Sequence, residues 1–239
     1  MNILITGATS GIGYQLALDY HQQGHRVYAC GRNQEALKTL HELGLKTLQV
    51  DVTDQAQVSE LFADLPPIQL AILAAGTCQY HQYHQFNGKD FANTINTNLA
   101  AIGYQLEALW LKLDSPSQLA MVGSLARYLP FTRAGAYSAS KAGIWQLANV
   151  LRTDLAPRQI SVHCIEPGFV DTPMTRANDF KMPGMISVQR AAKLIQKGLK
   201  KNQQQIAFPK LLYWLLKVLS ILPMHWQNSI CRMLAKRGD

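Results

Sequence analysis

The sequence is poor in charge, poor in cysteine and without a long apolar run. Of its 239 residues, 16% are Asp, Glu, Lys or Arg and 48% are hydrophobic. That balance excludes a self-repelling disordered chain and leaves ample material for a buried core. The four cysteines, Cys30, Cys78, Cys164 and Cys231, lie far apart. They form neither a CxxC pair nor a Cys/His spacing of the zinc type, so no disulfide framework and no metal centre is expected. His81 and His84, in HQYHQF, have no carboxylate or cysteine alongside and read as part of a solvated loop. The opening MNILITG has no charged leader and no small-residue cleavage site, so a reducing, cytoplasmic location is expected.

Acidic residues are nearly absent from one region. Residues 1–180 carry 12 Lys and Arg against 14 Asp and Glu, whereas residues 181–239 carry 11 Lys and Arg against Asp239 alone. The net charge of +8 is therefore a property of the C-terminal part and not of the main body. No recognised motif accompanies that charge, so nucleic-acid binding is not expected. No linker, repeat or low-complexity tract divides the chain. The expectation is one domain over 1–208 with a basic helical tail over 209–239.

What is present alternates. Short apolar runs at 2–6, 26–30, 45–50, 68–74, 118–123, 161–167 and 205–208 read as strands buried on both faces. Helical periodicity covers 11–24, 33–43, 54–64, 87–113, 137–157 and 187–201. Strict alternation predicts an α/β fold: a doubly wound, Rossmann-type parallel sheet of about seven strands with helices on both faces. Ligands of such sheets bind beyond the carboxyl ends of the strands.

The segment TGATSGIG (6–13) leaves the first strand and opens the first helix. Gly7, Gly11 and Gly13 allow a sharp turn and a close approach of backbone to a pyrophosphate, whose charge the helix N-terminus meets. The spacing TGxxxGxG resembles that of the short-chain dehydrogenase/reductase family, and the resemblance extends over roughly 2–208. It assigns the cofactor to the loop residues Gly7, Thr9, Ser10, Gly11, Ile12 and Gly13, and to Asp51 and Val52 around the adenine. Ala74, Ala75 and Gly76 stand where the family has Asn-Asn-Ala-Gly, with Leu73 and Ala74 replacing the two asparagines. Pro167, Gly168, Val170 and Thr172 match its Pro-Gly-x-x-x-Thr loop, and Asn98 matches its helix-embedded asparagine, although Ala101 stands where a glycine commonly follows.

In AYSASKAG (136–143), Tyr137 lies four residues before Lys141, and the same spacing recurs at Tyr213 and Lys217. Residues four apart share a helix face, so spacing alone does not separate the copies. Ser124, thirteen residues before Tyr137, does: the equivalent position before Tyr213 is Lys200. Small residues between Tyr137 and Lys141 also leave room for a cofactor, whereas Trp214, Leu215 and Leu216 obstruct one. The expected roles are Tyr137 as general acid/base, Lys141 as the cation that lowers its pKa and holds the nicotinamide ribose, and Ser124 as hydrogen-bond partner of the substrate oxygen. By resemblance, Asn98 ties Lys141 to a water-mediated proton relay. The second strand ends in Gly31 and Arg32 with no acid to receive a ribose 2′-hydroxyl, so NADP(H) is expected over NAD(H), with Tyr137 and Lys141 also touching the cofactor.

The substrate is expected to be a small-molecule carbonyl or alcohol of apolar character, facing 125–131 and the segment from Pro167 to Ile186. Tyr128, Leu129, Phe131, Phe169, Met174, Phe180 and Met182 are the apolar candidates there. A homo-oligomer, dimer or tetramer, is expected from the resemblance, through 87–113 and 137–157. The tail has two helical patterns around Pro223: 211–222, broken only by Tyr213, Lys217 and Ser220, and a second with Trp226, Ile230 and Met233 or Leu234 opposite Arg232, Lys236 and Arg237. The first falls short of the about 20 residues that span a bilayer. It suits an anionic membrane surface, a lid on the substrate pocket or a subunit contact. The competing functional class is a non-catalytic dinucleotide sensor or membrane-associated scaffold on the same fold, which a damaged Ser, Tyr or Lys would favour; all three are intact.

Overall fold

The computed structural model describes residues 1–81, 84–176, 178 and 182–236. Its strands are β1 (Asn2–Thr6), β2 (Arg26–Gly31), β3 (Lys46–Gln49), β4 (Ile68–Leu73), β5 (Leu113–Val122), β6 (Ile160–Pro167) and β7 (Gln205–Phe208). They form one seven-stranded sheet in the order β3-β2-β1-β4-β5-β6-β7, with every pairing parallel. Ile3, Leu4 and Ile5 of β1 are all fully buried. Leu4 belongs to one core cluster and its two neighbours to the other. Successive strand residues face opposite sides, so a sheet covered on both faces needs the continuous apolar runs seen in the sequence.

The helices are α1 (Gly11–Gln22), α2 (Gln34–Glu42), α3 (Gln55–Ala63), α4 (Gly88–Ile95), α5 (Ala101–Leu109), α6 (Gly135–Asp154), α7 (Pro173–Arg176), α8 (Val188–Lys200), α9 (Lys210–Leu219) and α10 (Met224–Lys236). One layer packs Phe62 of α3, Leu109 of α5 and Ile144 of α6 against the sheet; burying a side chain such as Phe62 contributes about 2–3 kcal/mol. The other layer uses Leu16 of α1, Leu40 of α2 and Ile195 of α8. Asn33, Asp54, Asn87 and Ser187 cap their helices by accepting a first-turn N–H, each cap contributing about 1 kcal/mol.

Two elements differ from the sequence expectation. The periodic segment 87–113 is not one helix: a π-helical turn, Asn96–Ala100, separates α4 from α5, and α5 ends at Leu109. The wider turn inserts one extra residue and points Asn98, fully buried, into the protein. Strand β5 begins at Leu113 rather than near Gln118, because Leu113 pairs with Ile68 ahead of a register shift.

The tail is fastened to the domain. Tyr213 and Leu216 of α9 and Cys231 of α10 cluster with Leu125, Leu129 and Ala207. Gln227 Nε2 donates to the carbonyls of Ser220, at 3.0 Å, and Leu222, at 2.8 Å, which holds the α9–α10 turn. Leu129 is buried, and the Tyr128 hydroxyl is held by Arg127 and Gln205. The stretch 125–131, offered by the sequence as a substrate-facing segment, thus packs against the tail helices. Gln82, Tyr83, Phe180 and Arg237 lie outside the described residues, as does the Lys236 side chain.

Candidate active site

At the carboxyl ends of the strands a single cleft collects the predicted residues. Every residue named above for the cofactor lines it, together with Ser124. Asn98 does not; it is buried behind the wall.

The glycines are required by contact. Gly7 has φ +68°, and a Cβ there would lie 2.7 Å from the Ala75 nitrogen. A Cβ on Gly13 would lie 2.4 Å from the Gly7 carbonyl oxygen. Only glycine lets the loop after β1 fold against both the loop after β4 and the first turn of α1. Ser10 begins α1 without a side-chain cap, so first-turn N–H groups face the cleft with no hydroxyl over them. That cradle fits a pyrophosphate.

Farther along the cleft, Arg32 Nη1 lies 3.5 Å from Asp51 Oδ2, and the Arg32 side chain is 71% exposed. Asp51 also accepts from the Thr53 N–H at 3.0 Å and hydroxyl at 2.7 Å. Burial of Asp51 opposes ionisation, but the Thr53 hydrogen bonds and the Arg32 charge outweigh it and lower its pKa.

The loop after β5 and the first turns of α6 bring Ser124, Tyr137 and Lys141 together. The Ser124 hydroxyl hydrogen-bonds the Tyr137 phenol and accepts the Ala126 N–H at 3.1 Å. Lys141 is 5% exposed. Its Nζ donates to the Val122 carbonyl at 2.8 Å and lies 5.5 Å from the Tyr137 ring centroid. Burial pulls the Lys141 pKa down to about 8. Tyr137 keeps part of its surface open to the cleft, yet burial of the phenol pushes its pKa up to about 12, against the Ser124 hydrogen bond. The lowering expected from Lys141 is not among the causes of this shift, which burial of the phenol dominates.

Asn98 is fully engaged. Its Oδ1 accepts the Thr77 N–H at 2.8 Å, and its Nδ2 donates to the Thr77 carbonyl at 2.9 Å and to Ser140 Oγ at 3.0 Å. Ser140 Oγ in turn donates to the Tyr137 carbonyl at 2.7 Å. Asn98 therefore braces the β4 loop against α6 through Thr77 and Ser140, and among the described residues it makes no hydrogen bond to Lys141. Gly76 sits between them: a Cβ there would lie 3.2 Å from Asn98 Oδ1 and 3.6 Å from Lys141 Nζ.

The family model "short chain dehydrogenase" matches residues 1–182. The chain belongs to the short chain dehydrogenase family. Its relatives include an uncharacterized oxidoreductase of Myxococcus xanthus, 29% identical, with 97% of this chain and 96% of that protein covered. The NADP-dependent 3-hydroxy acid dehydrogenase YdfG of Escherichia coli is 34% identical, over 71% of this chain and 73% of its own length. Among solved structures, a short-chain dehydrogenase from Sphingobium yanoikuyae in complex with NADPH matches with a TM-score of 0.80 at 22% identity, covering 99% of this chain and 94% of that one. A Streptomyces avermitilis short-chain dehydrogenase matches at 0.81 and 21%, covering 98% and 94%. At these identities the structural likenesses show the Rossmann-type fold.

In this short-chain dehydrogenase the cleft also recruits residues that sequence reading passed over. Gly31 packs on Thr9, where a Cβ would meet Thr9 Cγ2 at 2.5 Å. Thr175 of α7 and Thr77 line the cleft, beside Met174, which the sequence had already offered as an apolar candidate. The position of Thr175 just after Thr172 was the available signal; nothing in the sequence marks Gly31 as a contact of Thr9.

Proposed function

We propose that the protein is an NADP(H)-dependent oxidoreductase that interconverts a carbonyl and an alcohol, with Tyr137 as general acid/base. The carrying observation is the convergence of Ser124, Tyr137 and Lys141 at one end of the cleft whose other end is the glycine cradle. Backbone N–H groups of Gly11, Ile12 and Gly13 would receive the pyrophosphate, Asp51 and Val52 would flank the adenine, and Lys141 would hold the nicotinamide ribose. Bound there, the dinucleotide supplies or accepts the hydride.

In the direction of reduction, Ser124 Oγ–H orients the substrate carbonyl by a hydrogen bond to its oxygen. The Tyr137 phenol, which holds its proton firmly at neutral pH, gives that proton to the oxygen as negative charge develops there. The Lys141 ammonium then stands near the phenolate left behind and stabilises it. Oxidation runs the same proton path backwards. Asn98 acts by holding Thr77 and Ser140, and through them the relation of α6 to β4.

For the nucleotide, Arg32 is the recognising residue. Its guanidinium, already held near Asp51, presents donors that match a 2′-phosphate. That YdfG is named NADP-dependent and that several neighbours are complexes with NADPH support this choice. A cytoplasmic location and a homo-oligomer built on α4, α5 and α6 complete the reading, as does division into a catalytic domain, 1–208, and a tail. The test is a panel of apolar ketones and aldehydes followed by loss of nicotinamide absorbance. Turnover with NADPH that clearly exceeds turnover with NADH is expected; a clear NADH preference overturns the cofactor assignment, and no turnover with any carbonyl or alcohol overturns the reaction class.

A further inference from the structure

The tail helix α9 is turned inside out for a protein in water. Its polar Tyr213 is buried with Leu216, while Leu211, Trp214, Leu215 and Val218 are 85%, 55%, 53% and 56% exposed. Those positions, at i, i+3, i+4 and i+7, form one stripe. Ile221 and Met224 carry the exposed apolar surface through the turn, and Trp226 and Met233 carry it onto α10. Against the start of α9 lies a second cavity. Arg190, Lys197, Lys201 and Lys210 line it together with Leu194 and Phe208, and among the described residues no carboxylate lines it. From residue 181 to 238 the sequence has no Asp or Glu.

We propose that α9, α10 and this cationic cavity form a docking surface for an anionic lipid bilayer. The apolar stripe enters the acyl boundary while the lysines and arginines meet lipid phosphates. Trp214 and Trp226 are of the residue type that settles at a membrane–water interface. No helix among the described residues is long and apolar enough to cross a membrane, so α9 lies in the interface plane. A second copy is the poorer occupant: a two-fold contact through this face would bring its cationic cavity towards its own image, with no acid among the described residues that line it.

The experiment is co-sedimentation of the purified full chain with vesicles. Phosphatidylcholine alone is compared with equal parts phosphatidylcholine and phosphatidylglycerol. Binding to the anionic vesicles only, weakened by added salt, is expected. Leu211→Asp with Leu215→Asp, and separately Lys197→Glu with Lys201→Glu, should each reduce bound protein by at least about tenfold. Both pairs lie outside the catalytic cleft and should keep wild-type carbonyl reduction in solution, so failure here is distinguishable from failure of the reduction reading. Wild-type protein that stays in the supernatant, or that sediments equally with neutral vesicles, overturns the proposal. So does a solution dimer that Leu211→Asp with Leu215→Asp converts to monomer, since a second copy then covers the face.

Discussion

Tyr137 with Lys141 and Tyr213 with Lys217 are the same motif placed twice. In each, the ammonium nitrogen lies 5.5 Å from the tyrosine ring centroid. Beyond the helix they diverge. Lys141 is buried, donates to the Val122 carbonyl and has its pKa pulled down to about 8 by burial. Ser124 reaches its tyrosine, and both side chains line the cleft. Lys217 is exposed and donates to the Tyr213 hydroxyl at 3.2 Å, while that hydroxyl donates to Gln205 Oε1 at 3.3 Å. Tyr213 also meets Tyr128 edge-on at 5.9 Å between ring centroids. The spacing produces a tyrosine–lysine contact on any helix; proton-transfer chemistry needs a desolvated amine, a hydroxyl partner and an opening to substrate.

Substitutions sharpen or break this contrast. The largest effect is expected from Tyr137→Phe, which should lower kcat by about 10²–10⁴-fold with NADPH affinity within a few-fold of wild type. Steady-state rates and calorimetric titration check both parts, and retained turnover removes Tyr137 from its role. Lys141→Met should weaken NADPH binding by about 10–100-fold through loss of a charged hydrogen bond. Wild-type affinity should fall as pH rises through about 8, where Lys141 loses its charge, and the variant should be flat there. The stability sign is opposite. Unfolded Lys141 holds its proton up to its ordinary value of 10.5, and folded Lys141 releases it near 8. Between those pH values the unfolded state carries more protons, so this group adds to stability as pH rises. Thermal melts of wild type and Lys141→Met across that window should show the difference.

Arg32→Glu places a carboxylate against a 2′-phosphate and should lower kcat/KM with NADPH by about 10-fold or more relative to NADH. An unchanged ratio would assign nucleotide choice elsewhere. The smallest effects belong to the second motif. Tyr213→Phe should cost about 1 kcal/mol of stability, the value of one net hydrogen bond, and Lys217→Met less. Both should leave turnover within about twofold; a large loss from either would show that the tail takes part in catalysis.

The legibility of the site varies with how local its cause is. TGATSGIG was readable because a left-handed Gly7 and the Gly13 contact with its carbonyl admit no other residue type, so the composition itself carries the turn. The parallel sheet with helices on both faces followed from alternating apolar runs, whereas the strand order did not. The π-helical turn at Asn96–Ala100 was invisible, since one inserted residue changes neither composition nor gross periodicity. The early start of β5 was hidden by Pro116, which reads as a strand breaker. Tyr128 and Leu129 read as substrate contacts because apolar residues after a strand have that use; their packing against a helix that begins at Lys210 could not be read from sequence.

By itself the sequence determined most of the segments that become strands and helices, where the backbone must turn tightly on glycine, and that positive charge gathers after residue 180. These depend on φ/ψ preference, side-chain period and simple charge, all carried by neighbouring residues. Tertiary structure alone decided which tyrosine–lysine pair stands in a cleft, that burial raises one phenol and lowers one amine, and that the tail shows its apolar stripe to the outside. Each of those depends on how completely water is removed by chain far away in sequence, and desolvation is a property of the assembled fold.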